Sequence, residues 1–126
     1  MVKNKIRLAV IGVGYWGLNL VRVFSRLSVL YAICDSDPNK LVEAKKIYPK
    51  VNTTLSYADI LNDKTISAVV ISTPAESHYN LAKEALLADK DVFVEKPLAL
   101  NMEEGRELLE LSEKNKKILR VGHLLE

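Results

Sequence analysis

Near its start the chain changes character within a dozen residues, from the apolar run Leu8-Ala-Val-Ile11 to the glycine-studded segment Gly12-Val-Gly-Tyr-Trp-Gly17. The apolar run asks to be buried as a strand, whereas glycine weakens a strand and marks a sharp turn or a close approach to the backbone. Beyond Gly17, Leu20, Val21, Phe24 and Leu27 recur on one helical face, with Asn19, Arg22 and Arg26 on another. A strand that passes through a glycine turn directly into a helix leaves few folds open.

The rest of the chain repeats this alternation. Val29 to Cys34 reads as a strand, followed by Asp35-Ser-Asp-Pro38, where Asp37 can cap a helix with Pro38 at its first position and an end near Tyr48. Val51 to Thr53 suggests a short strand, and Ser56 to Leu61 a short helix capped by Ser56 with Asp59 three residues on. Ala68 to Ile71 is a buried-type strand, and the helix after it ends near Ala88, with either Thr73 or Ser77 as its cap. Val92 to Val94 makes the next strand, stopped by Glu95-Lys-Pro97, because proline cannot continue a central ladder. Asn101 and Glu104 have capping-box spacing for a helix through Glu113, and Ile118 to Val121 is the last strand. Such spacing predicts βαβ units, right-handed crossovers and an α/β fold with a doubly wound parallel sheet, a single Rossmann domain over residues 1–126.

Charge and cysteine content narrow the partners. A net charge of +2, with lysines scattered along the chain, does not suggest nucleic acid, and no apolar run approaches the ~18 residues of a membrane span. Lys3, Lys5 and Arg7 before the Leu8 run imitate a secretory signal, but no small-residue cleavage site follows. Cys34 has no second cysteine, and His78 and His123 lack ligand-like spacing with it, so a cytoplasmic protein without a structural metal is expected.

Gly12-Val13-Gly14-Tyr15-Trp16-Gly17 fits G-x-G-x-x-G between a strand and a helix, the context in which the motif binds a dinucleotide. Gly12 would make the tight turn, Gly14 would admit the pyrophosphate and Gly17 would let helix and strand pack closely. The plainer alternative is a glycine turn that only packs. Asp35 ends the second strand, at the usual offset for a carboxylate that meets the adenosine ribose, and Ser36 follows it where an arginine would welcome a 2′-phosphate. NAD is therefore expected over NADP, with a simple turn role as the alternative for Asp35.

Ligands in such sheets lie beyond the carboxyl ends of the strands, which brings Ser72-Thr73-Pro74, Glu95-Lys96-Pro97 and Gly122-His123 toward the same place. Lys96 is the ammonium there, able to hydrogen-bond a reacting oxygen and steady developing charge; a solvated loop lysine is the bland reading. His78 either faces the cofactor or caps its helix.

These residues resemble the Gfo/Idh/MocA oxidoreductases through Gly12-Val-Gly-Tyr-Trp-Gly17, Ser72-Thr-Pro-Ala-Glu-Ser-His78, Glu95-Lys-Pro97 and Val121-Gly-His123, in the family's order. The glycine turn and the ending Val121-Gly-His-Leu-Leu125 look most like members that oxidise nucleotide-activated sugars. The resemblance implies that the glycines with Val13, Tyr15 and Trp16 hold the dinucleotide and that Asp35 binds ribose. It makes Ser72, Thr73, Pro74 and His78 part of the cofactor wall and sets Glu95 beside the nicotinamide. Lys96 becomes the catalytic lysine, in contact with substrate, and His123 lies near the substrate. Pro97 in this motif often follows a cis peptide. Family members continue into a second α/β domain that shapes the sugar pocket, supplies further catalytic groups and mediates homo-oligomerisation, whereas this chain stops at Glu126, either natively or by a deliberate cut. The expectation is a chain that binds NAD and turns over sugar little or not at all. Its rival is a free-standing dinucleotide-binding module, a redox sensor or assembly subunit without chemistry.

Overall fold

The computed structural model describes residues 6–122, with the side chains of Tyr15 and Trp16 excepted. His123, expected near the substrate, lies outside the described residues. The elements are β1 (Leu8–Ile11), α1 (Tyr15–Arg26), β2 (Leu30–Cys34), α2 (Pro38–Ile47), β3 (Asn52–Thr54) and α3 (Tyr57–Asn62). Then follow β4 (Ala68–Ile71), a 3-10 turn (Ala75–Ser77), α4 (His78–Leu87), β5 (Asp91–Glu95), α5 (Met102–Lys114) and β6 (Leu119–Gly122). All six strands are parallel, in the order β3-β2-β1-β4-β5-β6. This is the doubly wound α/β arrangement, and the chain reverses its direction of travel across the sheet between β1 and β4.

Strand alternation explains how so short a β1 organises two layers. Leu8 and Val10 point into one core with Leu20 and Val21 of α1 and Leu41 and Ala44 of α2. Ala9 and Ile11 point into the other, with Ile60 of α3, Ala82, Ala85 and Leu86 of α4 and Leu108 of α5. The two central strands β1 and β4 are buried throughout, as both-face coverage requires, while the edge strand β3 is the polar triplet Asn52-Thr-Thr54.

Local details depart from expectation in instructive ways. α1 begins at Tyr15, so Gly17 lies inside its first turn, and the helix ends at Arg26, leaving Leu27 exposed. Ser56 takes the N-cap position of α3 without a side-chain cap bond. Thr54 supplies the link instead: its Oγ1 accepts from the Ser56 amide at 3.0 Å and donates to Asp59 Oδ2 at 2.6 Å. Neither Thr73 nor Ser77 caps α4 by its side chain; the two hydroxyls lie 2.6 Å apart, and Ser77 Oγ donates to the Pro74 carbonyl at 2.7 Å. Asn101 does cap α5, accepting from the Glu104 amide at 2.9 Å, and Asp37 caps α2 through the Asn39 amide at the same distance.

Candidate functional site

The glycine turn is held from both sides. The Gly12 amide donates to the Cys34 carbonyl of β2 and the Ser72 amide, just beyond β4, donates to the Ile11 carbonyl, each at 2.8 Å. Gly12 sits at φ +93°, a conformation that L side chains rarely adopt, with Thr73 and Ser72 packed against it. A Cβ on Gly17 would stand 2.0 Å from the Gly12 carbonyl oxygen, so helix and turn approach here as only glycine permits. At Gly14, the N-cap of α1, a Cβ would meet nothing within 4 Å. The turn therefore packs tightly on one side and is open at the start of the helix.

Above it lies a cavity of about 980 Å³, within the range of cofactor sites. Gly12, Gly14, Asp35, Ser72, Thr73 and Pro74 line it, and His78, Glu95 and Lys96 complete the set of expected residues that converge there. Val13 and Gly17 do not face the cavity: Val13 is buried in the core and Gly17 packs under the turn. The side chains of Tyr15 and Trp16 lie outside the described residues. Lys96 is exposed, and among the described residues its ammonium has no hydrogen-bond or ion-pair partner. The peptide between Lys96 and Pro97 is cis.

Asp35 serves the fold as well as the cavity. Its Oδ2 accepts from the Val13 amide and its Oδ1 from the Asp37 amide, both at 2.8 Å, which ties the glycine turn to the start of α2. Each carboxylate oxygen has a lone pair left over for a further donor. His78 is only 2% exposed, and its two ring nitrogens are engaged within the chain: Nδ1 lies 2.6 Å from the Pro97 carbonyl oxygen and Nε2 2.8 Å from that of Thr73.

Several lining residues escaped the sequence reading: Cys34, Lys40, Leu55, Tyr57 and Leu81. Cys34 and Leu55 follow the same strand-end rule that located Asp35, so the signal was present. Tyr57 and Leu81 read as ordinary core positions, and the Tyr57 hydroxyl donates to the Leu81 carbonyl at 2.7 Å. Burial, and then the Asp35 and Asp59 carboxylates, push the Cys34 thiol up to about 11. Burial, followed by Glu84 and Cys34, raises the Tyr57 phenol well above its usual range.

The cavity suits a dinucleotide. The start of α1 offers backbone amides and the positive end of a helix dipole, Gly14 leaves space beside them, and the buried Ser72 hydroxyl has no partner among the described residues. An orphan hydroxyl in a crevice at the strand-order switch is what a bound polar ligand would satisfy. Sheet order, glycine turn and β2 carboxylate together define a dinucleotide-binding Rossmann domain.

The particular family is equally plain: residues 6–123 match the Gfo/Idh/MocA oxidoreductase family, NAD-binding Rossmann fold, and the chain belongs to it. It is similar to an α-N-acetylgalactosaminidase from Shewanella oneidensis, 37% identical over 123 residues, covering 89% of this chain and 27% of that protein. Among solved structures it resembles GenD2 from gentamicin A biosynthesis in complex with NAD, at 25% identity and a TM-score of 0.89, covering 95% of this chain and 35% of that one. It also resembles the WlbA dehydrogenase from Chromobactrium violaceum in complex with NADH and UDP-GlcNAcA, at 29% identity and a TM-score of 0.86, covering 96% and 36%. The chain thus spans about a quarter of the length of such curated relatives. It is an NAD-binding oxidoreductase domain. Among the described residues no helix is long and apolar enough to cross a membrane, and no cluster of three or more His, Cys, Asp or Glu side chains could hold a metal.

Proposed function

We propose that this chain forms the cofactor half of a site that transfers hydride between a ring hydroxyl of a sugar or sugar-nucleotide and nicotinamide. The observation that carries the reading is the unpartnered Lys96 ammonium at the wall of a cavity built around a dinucleotide turn. Bound NAD would supply the hydride acceptor. The chain's own part is to seat the pyrophosphate at the amides of Gly12 to Gly14 and to receive the adenosine ribose at Asp35. Lys96 then sits beside the reacting oxygen, where an ammonium polarises a carbonyl in one direction and donates a hydrogen bond to the developing alkoxide in the other. The nucleotide-sugar ligand of the WlbA structure supports the substrate class. Substrate contacts and proton acceptors beyond Lys96 would come from outside these residues, so the chain alone is expected to bind cofactor with little turnover.

A second reading has its own support, because the curated relatives include proteins named as glycosidases. NAD-dependent glycosidases exist outside the two-carboxylate scheme, and in them a transient oxidation leaves the cofactor unchanged at the end. The same Lys96 placement serves either outcome. In the intact protein, NADH that accumulates in proportion to sugar consumed supports the dehydrogenase; released aglycone without net NADH supports the glycosidase.

The test of the cofactor half uses the chain's only tryptophan, Trp16, inside the glycine turn. Saturable quenching of its fluorescence by NADH, with at least tenfold weaker binding of NADPH, is expected. Binding of neither by the folded protein would remove the basis of the reading.

A further inference from the structure

The segment that carries Lys96 is held in an unusual way. Among the described residues no backbone hydrogen bond engages Lys96 through Leu100, and Pro97 has no amide to offer. Leu98 packs against the core, and among the described residues the one polar tie is the contact between the Pro97 carbonyl and Nδ1 of His78, at 2.6 Å. The other ring nitrogen reaches the Thr73 carbonyl, at 2.8 Å, in the turn that follows β4. One buried imidazole therefore joins the two turns that flank the cavity, Ser72-Thr-Pro74 and Glu95-Lys-Pro97.

We propose that His78 is the positioning residue for Lys96, clamping the segment after β5 to the turn after β4 by one hydrogen bond to each. The inference rests on the reading above that Lys96 faces the reacting oxygen. Both acceptors are main-chain carbonyls, so the identity of residue 78 alone decides whether the clamp exists. A neutral imidazole has one N–H and satisfies one carbonyl; only a ring with both nitrogens protonated donates to the two. The clamp is accordingly complete when the ring is protonated and half made when it is not. Its neutral form leaves a nitrogen lone pair facing a carbonyl oxygen.

His78→Gln keeps one amide donor and can hold one carbonyl at most, while His78→Phe holds neither. The contribution to test is local order at Lys96 and Leu98, not global stability.

Backbone 15N order parameters of the 126-residue chain, measured with and without NADH, read this directly. In the unaltered protein Lys96 and Leu98 should be as ordered as the sheet, at about 0.85. In His78→Phe their order should drop below about 0.6, with residues 8–14 unchanged, and in His78→Gln it should be intermediate. Long-range 15N–1H spectra should show a ring N–H protected from exchange with solvent. Equal order at Lys96 and Leu98 in all three proteins, or a freely exchanging ring, overturns the clamp. NADH titration of the same samples is independent: a chain that binds no NADH sinks the functional reading while the order parameters still decide the clamp. Should His78→Phe fail to fold, His78→Gln and the ring spectra decide it alone.

Discussion

At the scale of single residues, the two glycines that look alike in the motif do different work, and substitution separates them. Gly17→Ala would drive a Cβ to 2.0 Å from a backbone oxygen, with no flexible side chain to yield. Expected is a loss of about 3 kcal/mol in a urea melt together with weakened NADH binding. Gly14→Ala meets no neighbour, so it should lose no more than about 1 kcal/mol, from the poorer N-cap, yet bind NADH at least tenfold less tightly, because its methyl enters space left for the cofactor. Cys34 provides a test by pH. Its thiol is raised from 9.0 to about 11, so the folded form keeps a proton that the unfolded form sheds first. The stability this contributes is whole below pH ~9 and is lost as pH climbs through about 11. Cys34→Ala should flatten the alkaline limb of a stability-against-pH curve, and alkylation of native Cys34 at pH 8 should be about a hundredfold slower than that of the unfolded chain. Much of this was legible beforehand: the three glycines and Asp35 announce themselves by type and spacing. That Asp35 also accepts the Val13 amide was not, because a register between β1 and β2 has to exist before residues 22 apart can meet.

At the scale of elements, the end of the sheet opposite the cavity has its own anchor. Lys90, at the entry to β5, is 2% exposed, and its ammonium donates to the carbonyls of Asp63 at 2.9 Å and Ile66 at 2.7 Å in the loop between α3 and β4. Desolvation depresses its pKa, against the pull of Asp63 and Asp89. Lys90→Met keeps the stem and strands two carbonyls, so a destabilisation of about 2 kcal/mol is expected, with NADH affinity within twofold of the original since the cavity lies at the other end of the strands. No sequence rule marks Lys90, since a lysine between Asp89 and Asp91 reads as surface. The elements themselves were legible, because helical and strand periodicities are properties of short windows. Their capping was less so. Thr54 took over the role expected of Ser56, since which hydroxyl reaches Asp59 depends on how β3 leaves the sheet.

At the scale of the molecule, the strand order places every cofactor-facing turn on one rim, and a ligand there binds only the folded sheet. Saturating NADH at about a hundred times its dissociation constant should add about 2.7 kcal/mol of stability. For a chain of this length the midpoint of a thermal melt should rise by on the order of 10 °C, and NADPH at the same concentration should give much less. The doubly wound parallel class was legible from alternation, whereas the strand order β3-β2-β1-β4-β5-β6 came with the structure. The composition of the cavity was not, because Tyr57 and Leu81 become wall residues only after α3 and α4 settle on the same face as Ile11. The hydrogen bond from Val13 to Asp35 has a consequence for any lineage or laboratory seeking a phosphorylated cofactor. Replacing that carboxylate to admit the extra phosphate also unfastens the turn that must carry the rest of the molecule. Preference for one coenzyme is thus welded to the ability to hold either, and a successful switch should keep at position 35 a side chain that still accepts from the Val13 amide.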